Sequence, residues 1–315
     1  MKRSAVLYRD NCFLDHDTGP HPEKAARLDR LHERLDESSV DGDYSVLPAV
    51  VADVDVIKQV HTDDHVRNIE EYARQGGGYI ESDTLVSSKS YDVAVRAVGT
   101  ACDAVTQVIE NDRRHAVCLI RPPGHHALPK GPMGFCLFNN IAVAARYAIS
   151  KYELNRVLIV DWDVHHGNGT QDAFWEDEQV GFFSIHRWPF YPGTGDDIET
   201  GGGKGLGTTL NMPIEFGTSR SEYLAGFESN LERFAAKIKP ELVLISAGFD
   251  SHRQDPIGSL GLETEDYIDL TKIVANIAET HANGQIVSLL EGGYNVDVLP
   301  DCVLKHLETL TACRV

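Results

Sequence analysis

The stretch RVLIVDWDVHHGNGTQ, residues 156–171, decides the fold. Val157, Leu158, Ile159 and Val160 form an unbroken apolar run of strand length, and such a run belongs to a strand buried on both faces. Gly167 and Gly169 close it with turn signals. Between these ends Asp161, Asp163 and His165 alternate with Trp162 and Val164, so an extended chain puts three polar side chains on one face. A helix would send residue i+2 to the far side.

Four more short apolar runs, at 115–120, 180–185, 241–246 and 285–290, read as strands of the same kind. Segments 90–110, 138–151, 219–239 and 264–282 carry helical periodicity and are long enough to be crossover helices. That alternation predicts an α/β protein with three layers around a mostly parallel sheet. Each of the five runs ends in a polar cluster: RPPGHH, DWDVHHGN, HRWPFYPGTG, AGFDSH and EGGYN. In an open parallel sheet the carboxyl ends of the strands share one edge, where ligands bind, so the clusters should converge on one site.

Asp163 and His165 on one face make a metal-ligand pair, with Asp250 at another strand end as the natural third. Three protein ligands with a position left for water is the catalytic zinc pattern. His125 and His126 follow the rigid turn Pro122-Pro123-Gly124, and imidazole titrates where a base for water and an acid for a leaving amine must. Asp161 is available to fix the tautomer of one imidazole. Tyr294, after two glycines, is placed to aim its hydroxyl at a developing oxyanion.

In this order and spacing, RPPGHHA, GFCLFNN, DWDVHHGNGTQ, PGTG, AGFDSHRQDP and EGGYN resemble the histone deacetylase and acetylpolyamine amidohydrolase superfamily, from about Asp10 to near the C-terminus. The resemblance implies the arginase/deacetylase fold, with about eight strands, in a single catalytic domain over 1–315. It implies one zinc ion on Asp163, His165 and Asp250, and hydrolysis of the amide of acetyl-lysine in a protein or peptide, or of a small acetylated amine. It makes His126 the general base and then acid, His125 with Asp161 an electrostatic pair, and Tyr294 the carbonyl-polarising group. Asn168 replaces the aspartate of the nuclear deacetylases and, with Thr170 and Gln171, points to the other large branch; an amide partner leaves His126 less basic. Phe135 and Tyr191 match aromatic tunnel walls, with Gly134 and Gly292 beside the substrate. Ile257 stands where acetylpolyamine-selective relatives carry an acidic gatekeeper, which favours acyl-lysine. Asp161 and Ser184 match a site for a monovalent cation, potassium.

Composition fits this reading. Of 315 residues, 42% are hydrophobic and 24% charged, as in ordinary folded proteins. A formal charge of -19 argues against direct binding to nucleic acid or anionic membranes and suits cationic substrates. The six cysteines form no C-x-x-C pair, and residues 1–20 offer neither a signal core nor a membrane span, so a cytoplasmic setting is expected, with the oligomeric state open.

Several motifs lead elsewhere and stop. His32-Glu33 lacks the second histidine of a metalloprotease pair, since position 36 is Asp, and the segment at Ser246 lacks the first glycine of a nucleophile elbow. The GGGKG cluster at 201–205 has no phosphate-loop spacing and reads as a surface loop; His61 and His65 read as a solvated helix start. A two-manganese ureohydrolase would need D-x-H-x-D, and position 167 is Gly. A binder without catalysis would not need the full set of matched polar residues.

Overall fold

The computed structural model describes residues 5–38, 44–111 and 113–312, so Cys313 lies outside the described residues. In chain order the strands are β1 (Ala5–Tyr8), β2 (Tyr44–Leu47), β3 (Gly77–Tyr79), β4 (Leu85–Ser87), β5 (His115–Cys118), β6 (Val157–Asp161), β7 (Val180–Trp188), β8 (Thr209–Glu215), β9 (Leu242–Ala247) and β10 (Ile286–Leu290). β3 and β4 form a separate antiparallel hairpin. The other eight make one wholly parallel sheet in the order β2-β1-β5-β10-β9-β6-β7-β8. The five strands legible in the sequence are five neighbours in this sheet, from β5 to β7. The remaining three lie toward its edges.

The helices are α1 (Ala26–Glu37), α2 (Val54–Ile57), α3 (Asp63–Arg74), α4 (Ser90–Glu110), α5 (Asn140–Tyr152), α6 (Asn168–Phe174), α7 (Arg220–Ile238), α8 (Asp266–His281) and α9 (Leu299–Ala312). α4 packs on α5, while α7, α8, α9 and α1 pack in succession, giving the three-layer α/β/α arrangement. Local signals set the ends: Ser219 and Glu222 form a reciprocal capping box at α7, and the Asn139 side chain accepts the Ala142 N–H at the start of α5. Val157, Leu158, Ile159 and Val160 are all fully buried, each contributing roughly 1.5–3 kcal/mol of apolar burial relative to exposure.

Three expectations are corrected. β6 stops at Asp161, and the pleat does not continue to His165. Instead the Asp163 N–H donates to Asp161 Oδ1 (3.1 Å) and the His165 N–H to Asp163 Oδ1 (2.9 Å), so two successive Asx-type turns bring the polar side chains together. The GGGKG segment is not simply a surface loop: Gly201 and Gly205 are buried, and a Cβ on Gly205 would collide with the backbone of Trp175 and Asp177. His61 and His65 are each 2% exposed, against the expectation of a solvated pair. His61 Nδ1 faces the Leu128 carbonyl (3.0 Å) and its Nε2 accepts the Asn139 N–H (2.8 Å), while His65 Nε2 meets the Leu137 carbonyl (2.8 Å). They brace the segment that carries Phe135.

Candidate metal centre and catalytic cavity

The carboxyl ends of β5, β10, β9, β6 and β7 bring the polar clusters to one rim. Asp163, His165 and Asp250 each offer a ligand atom, all within 4.8 Å of one another and all buried. Asp163 Oδ1 lies 3.0 Å and Asp250 Oδ2 3.2 Å from His165 Nδ1. The outward oxygens are held from behind: Asp250 Oδ1 accepts the Val164 N–H (2.9 Å), and Asp163 Oδ2 accepts the Gly292 N–H (2.8 Å). A Cβ at position 292 would run into both carboxylates, which is why glycine is required there.

The donor set fits a cation. Asp250 Oδ2 is buried and, although 3.2 Å from His165 Nδ1, receives no well-aligned hydrogen bond, whereas buried polar atoms are nearly always satisfied. Burial and then the Asp163 charge push the Asp250 carboxyl up to about 7. Burial opposes charge on His165, yet the two carboxylates outweigh it and push the imidazole up to about 9. Two buried carboxylates facing one imidazole therefore call for positive charge between them.

The twin histidines differ in environment. His125 Nδ1 is 2.9 Å from Asp161 Oδ2, and although burial disfavours its charge, Asp161 and Asp163 push it up to about 10. His126 Nδ1 is 2.6 Å from Asn168 Oδ1. Burial, followed by the imidazoles of His125 and His165, holds His126 well below the ordinary histidine range. The Asn168 amide nitrogen in turn donates to the Met133 sulfur (3.3 Å), which leaves its oxygen turned to His126. His126 therefore carries its proton on Nδ1 and presents an unprotonated Nε2.

A cavity of about 200 Å³ leads to this centre, walled by His126, Gly134, Phe135, His165, Tyr191, Ile257 and Tyr294 among others. The rings of Phe135 and Tyr294 meet edge to face at 5.7 Å, and Tyr191 stands edge to face with His126 at 5.3 Å. Gly134 has φ +56°, and a Cβ there would strike the His126 ring. Burial keeps the Tyr294 phenol well above its usual range, so it remains a donor. His125 and Gly292 stand behind the cavity wall, not in it. Asp161 and Ser184 sit opposite each other on β6 and β7, both fully buried, with the Ser184 hydroxyl 2.9 Å from His186 Nδ1.

The sequence reading missed other participants. Phe190 stacks on His165 with ring centres 5.3 Å apart and planes at 18°, and Asp83, from the β3–β4 connection, joins the cavity wall. Glu291 Oε2 accepts the N–H groups of Gly124 (2.7 Å) and His125 (3.2 Å), which ties the end of β10 to the twin-histidine turn. Asp255 Oδ1 accepts the N–H groups of Ile257 and Gly258, both at 2.9 Å. Arg27 lies 5.0 Å from the centre of the Tyr294 ring and donates to the carbonyls of Gly293 (2.6 Å) and Glu291 (2.5 Å). Phe190, Glu291 and Asp255 lay inside the quoted motifs, whereas nothing local marked Arg27 or Asp83.

Comparison with known proteins is consistent across the chain. The family model for the histone deacetylase domain matches residues 21–310. A probable deacetylase of Archaeoglobus fulgidus is 38% identical over 288 residues, covering 90% of this chain and 80% of that protein. Histone deacetylase 14, chloroplastic, of Arabidopsis thaliana is 37% identical over 97% of this chain and 76% of its own length. A histone deacetylase-like amidohydrolase of Pseudomonas aeruginosa is 31% identical over the whole chain and 88% of its own length. The crystal structure of the HDA15 HD domain superposes with a TM-score of 0.91 at 34% identity, covering 98% of this chain and 88% of that one.

Proposed function

The chain belongs to the histone deacetylase family of hydrolases, and from this we propose that it is a zinc-dependent deacetylase that cleaves the amide of acetyl-lysine in a protein or peptide. The observation that carries the proposal is the position of His126: it lines the cavity beside the ligand cluster with Nδ1 occupied by Asn168. Its free Nε2 can take a proton from water and return it to the leaving amine.

Asp163, His165 and Asp250 would hold the zinc ion, a set of one nitrogen and two oxygen ligands that leaves a position open. When bound, the ion supplies polarisation of the amide carbonyl and a lowered water pKa. His125, charged against Asp161, contributes a fixed positive field from behind the cavity wall. Tyr294 donates its hydroxyl to the carbonyl oxygen as that oxygen gains negative charge. Phe135, Tyr191 and Ile257 offer an apolar sleeve for a four-carbon stem. Asp161 and Ser184 offer a carboxylate and a hydroxyl for potassium as a second, structural cation. A reducing compartment such as the cytoplasm suits the five free cysteines found among the described residues, at positions 12, 102, 118, 136 and 302. Among the described residues no helix is long and apolar enough to cross a membrane.

A second reading, an amidohydrolase of acetylated polyamines, is favoured by Asp83, whose carboxylate at the cavity could attract a distant amine. One experiment separates the two: turnover efficiencies for acetyl-lysine peptides and acetylated polyamines on one preparation, with the bound metal counted. Peptide preference with one zinc per chain supports the first reading. Preference for polyamines supports the second, and no hydrolysis of either by the metal-loaded protein refutes both.

A further inference from the structure

Arg187, near the end of β7, is held in a way the catalytic reading does not require. Its guanidinium carbon lies 4.3 Å from the centre of the Phe190 ring and 4.5 Å from that of Phe216, so the cation contacts two aromatic rings. Phe190 stacks on the candidate ligand His165. Nη1 of Arg187 donates to the Gly258 carbonyl (2.9 Å), and Gly258 follows Ile257 of the cavity wall. The Arg187 backbone N–H also donates to the Val164 carbonyl (2.9 Å), one residue before His165. Phe216, just past β8, is 66% exposed and has its aromatic face engaged by the guanidinium.

We infer that Arg187 is a positioning residue that couples two walls of the cavity, Phe190 and Ile257–Gly258, and thereby sets which acyl chain fits beside His165. The inference rests on the deacylase reading of the site. A planar guanidinium packed against two rings is restricted in orientation, and its Nη1 donor then sets where the Gly258 carbonyl can lie. The two walls share one rigid spacer. Because Phe190 stacks on a candidate metal ligand, it borders the end of the cavity where an acyl group would sit, not the stem of the lysine.

The test compares acetyl-, propionyl- and butyryl-lysine in one peptide sequence, using wild type, Arg187→Met and Arg187→Lys with metal content verified. Arg187→Met should raise the butyryl-to-acetyl ratio of kcat/KM by about five-fold or more, carried mainly by KM, and Arg187→Lys, which keeps the charge but not the planar group, should raise it in the same direction by less. Amide exchange should quicken in both 188–191 and 256–259 in Arg187→Met. Phe216→Ala, at an exposed position, should move both readouts in the same direction and serves if Arg187→Met does not fold. An unchanged acyl ratio, or exchange that quickens in only one segment, overturns the inference. If the wild type turns over none of the acyl peptides, the deacylase reading has failed, and the exchange data alone decide the coupling.

Discussion

The carboxylate of Asp255 holds Tyr294 by its backbone: Oδ2 accepts the Tyr294 N–H at 2.7 Å while Oδ1 accepts the N–H groups of Ile257 and Gly258. One buried side chain thus holds both the Ile257 wall of the cavity and the backbone of Tyr294, which also lines it. Asp255→Ala strips three backbone donors of their acceptor, and should destabilise the protein by about 3 kcal/mol. Activity should fall further than the loss of folded protein explains. Denaturant unfolding alongside kcat, normalised to folded protein, checks this; equal losses in the two would argue that Asp255 is only structural.

Removing the phenol oxygen alone is the cleaner probe of chemistry. Tyr294→Phe keeps the ring that Phe135 and Arg27 contact, so thermal stability should change little. Turnover should drop by a factor on the order of 10², as for other oxyanion donors. A kcat equal to wild type would remove Tyr294 from the mechanism.

Burial and the imidazoles of His125 and His165 should set the acid limb of the pH profile, and Asn168 is the place to move it. His126 is held well below the ordinary range, so it stays unprotonated and competent as a base down to acidic pH. Asn168→Asp places a carboxylate against the imidazole, favours the charged form and should move the acid limb of kcat/KM upward by about 1–3 pH units. The measurement is a kcat/KM profile of wild type and variant across the acid range. An unshifted limb would show that His126 is not the titrating base.

Metal removal should destabilise the protein, and more so as pH rises. In the metal-free chain Asp250 and His165 both have raised values, about 7 and about 9. A raised carboxyl is neutral and tolerated at low pH but becomes a buried charge above its folded value; a raised histidine contributes stability that is complete below its unfolded value and lost through its folded one. The Asp250 effect therefore weakens the metal-free protein from about pH 4 to about pH 7, and the His165 effect from about pH 6.5 to about pH 9. The bound ion relieves both, so the Tm gap between loaded and chelated protein should widen over these intervals. A gap that narrows would place the ion elsewhere.

The sequence disclosed the inner sheet because β5, β6, β7, β9 and β10 are buried on both faces and so nearly free of polar residues. β1 is as short and apolar as β5, but the charged residues Lys2, Arg3, Arg9 and Asp10 crowd it in the sequence; β2 is only partly buried, and β8 carries Asn211 and Pro213 at an open sheet edge, so none of the three stood out from loops. The candidate ligand cluster could be proposed from the sequence because turn glycines and paired acids stand out locally. Asp83 and Arg27 could not: each reaches the site through tertiary packing, Arg27 across 266 residues to the Gly293 carbonyl. His61 and His65 were misread for the same reason. Their neighbours Asp63 and Asp64 look solvated, and only the distant carbonyls of Leu128 and Leu137 reveal the bracing role.

All the reactive groups gather where the parallel strands end, which leaves the turns feeding those strands chemically idle. The left-handed residues Glu153, Lys239 and Asn283 mark three such turns, before β6, β9 and β10. A foreign segment or surface anchor spliced in there would leave each reactive side chain on its own strand end, so the enzyme can be tethered or fused from the back without retuning the front.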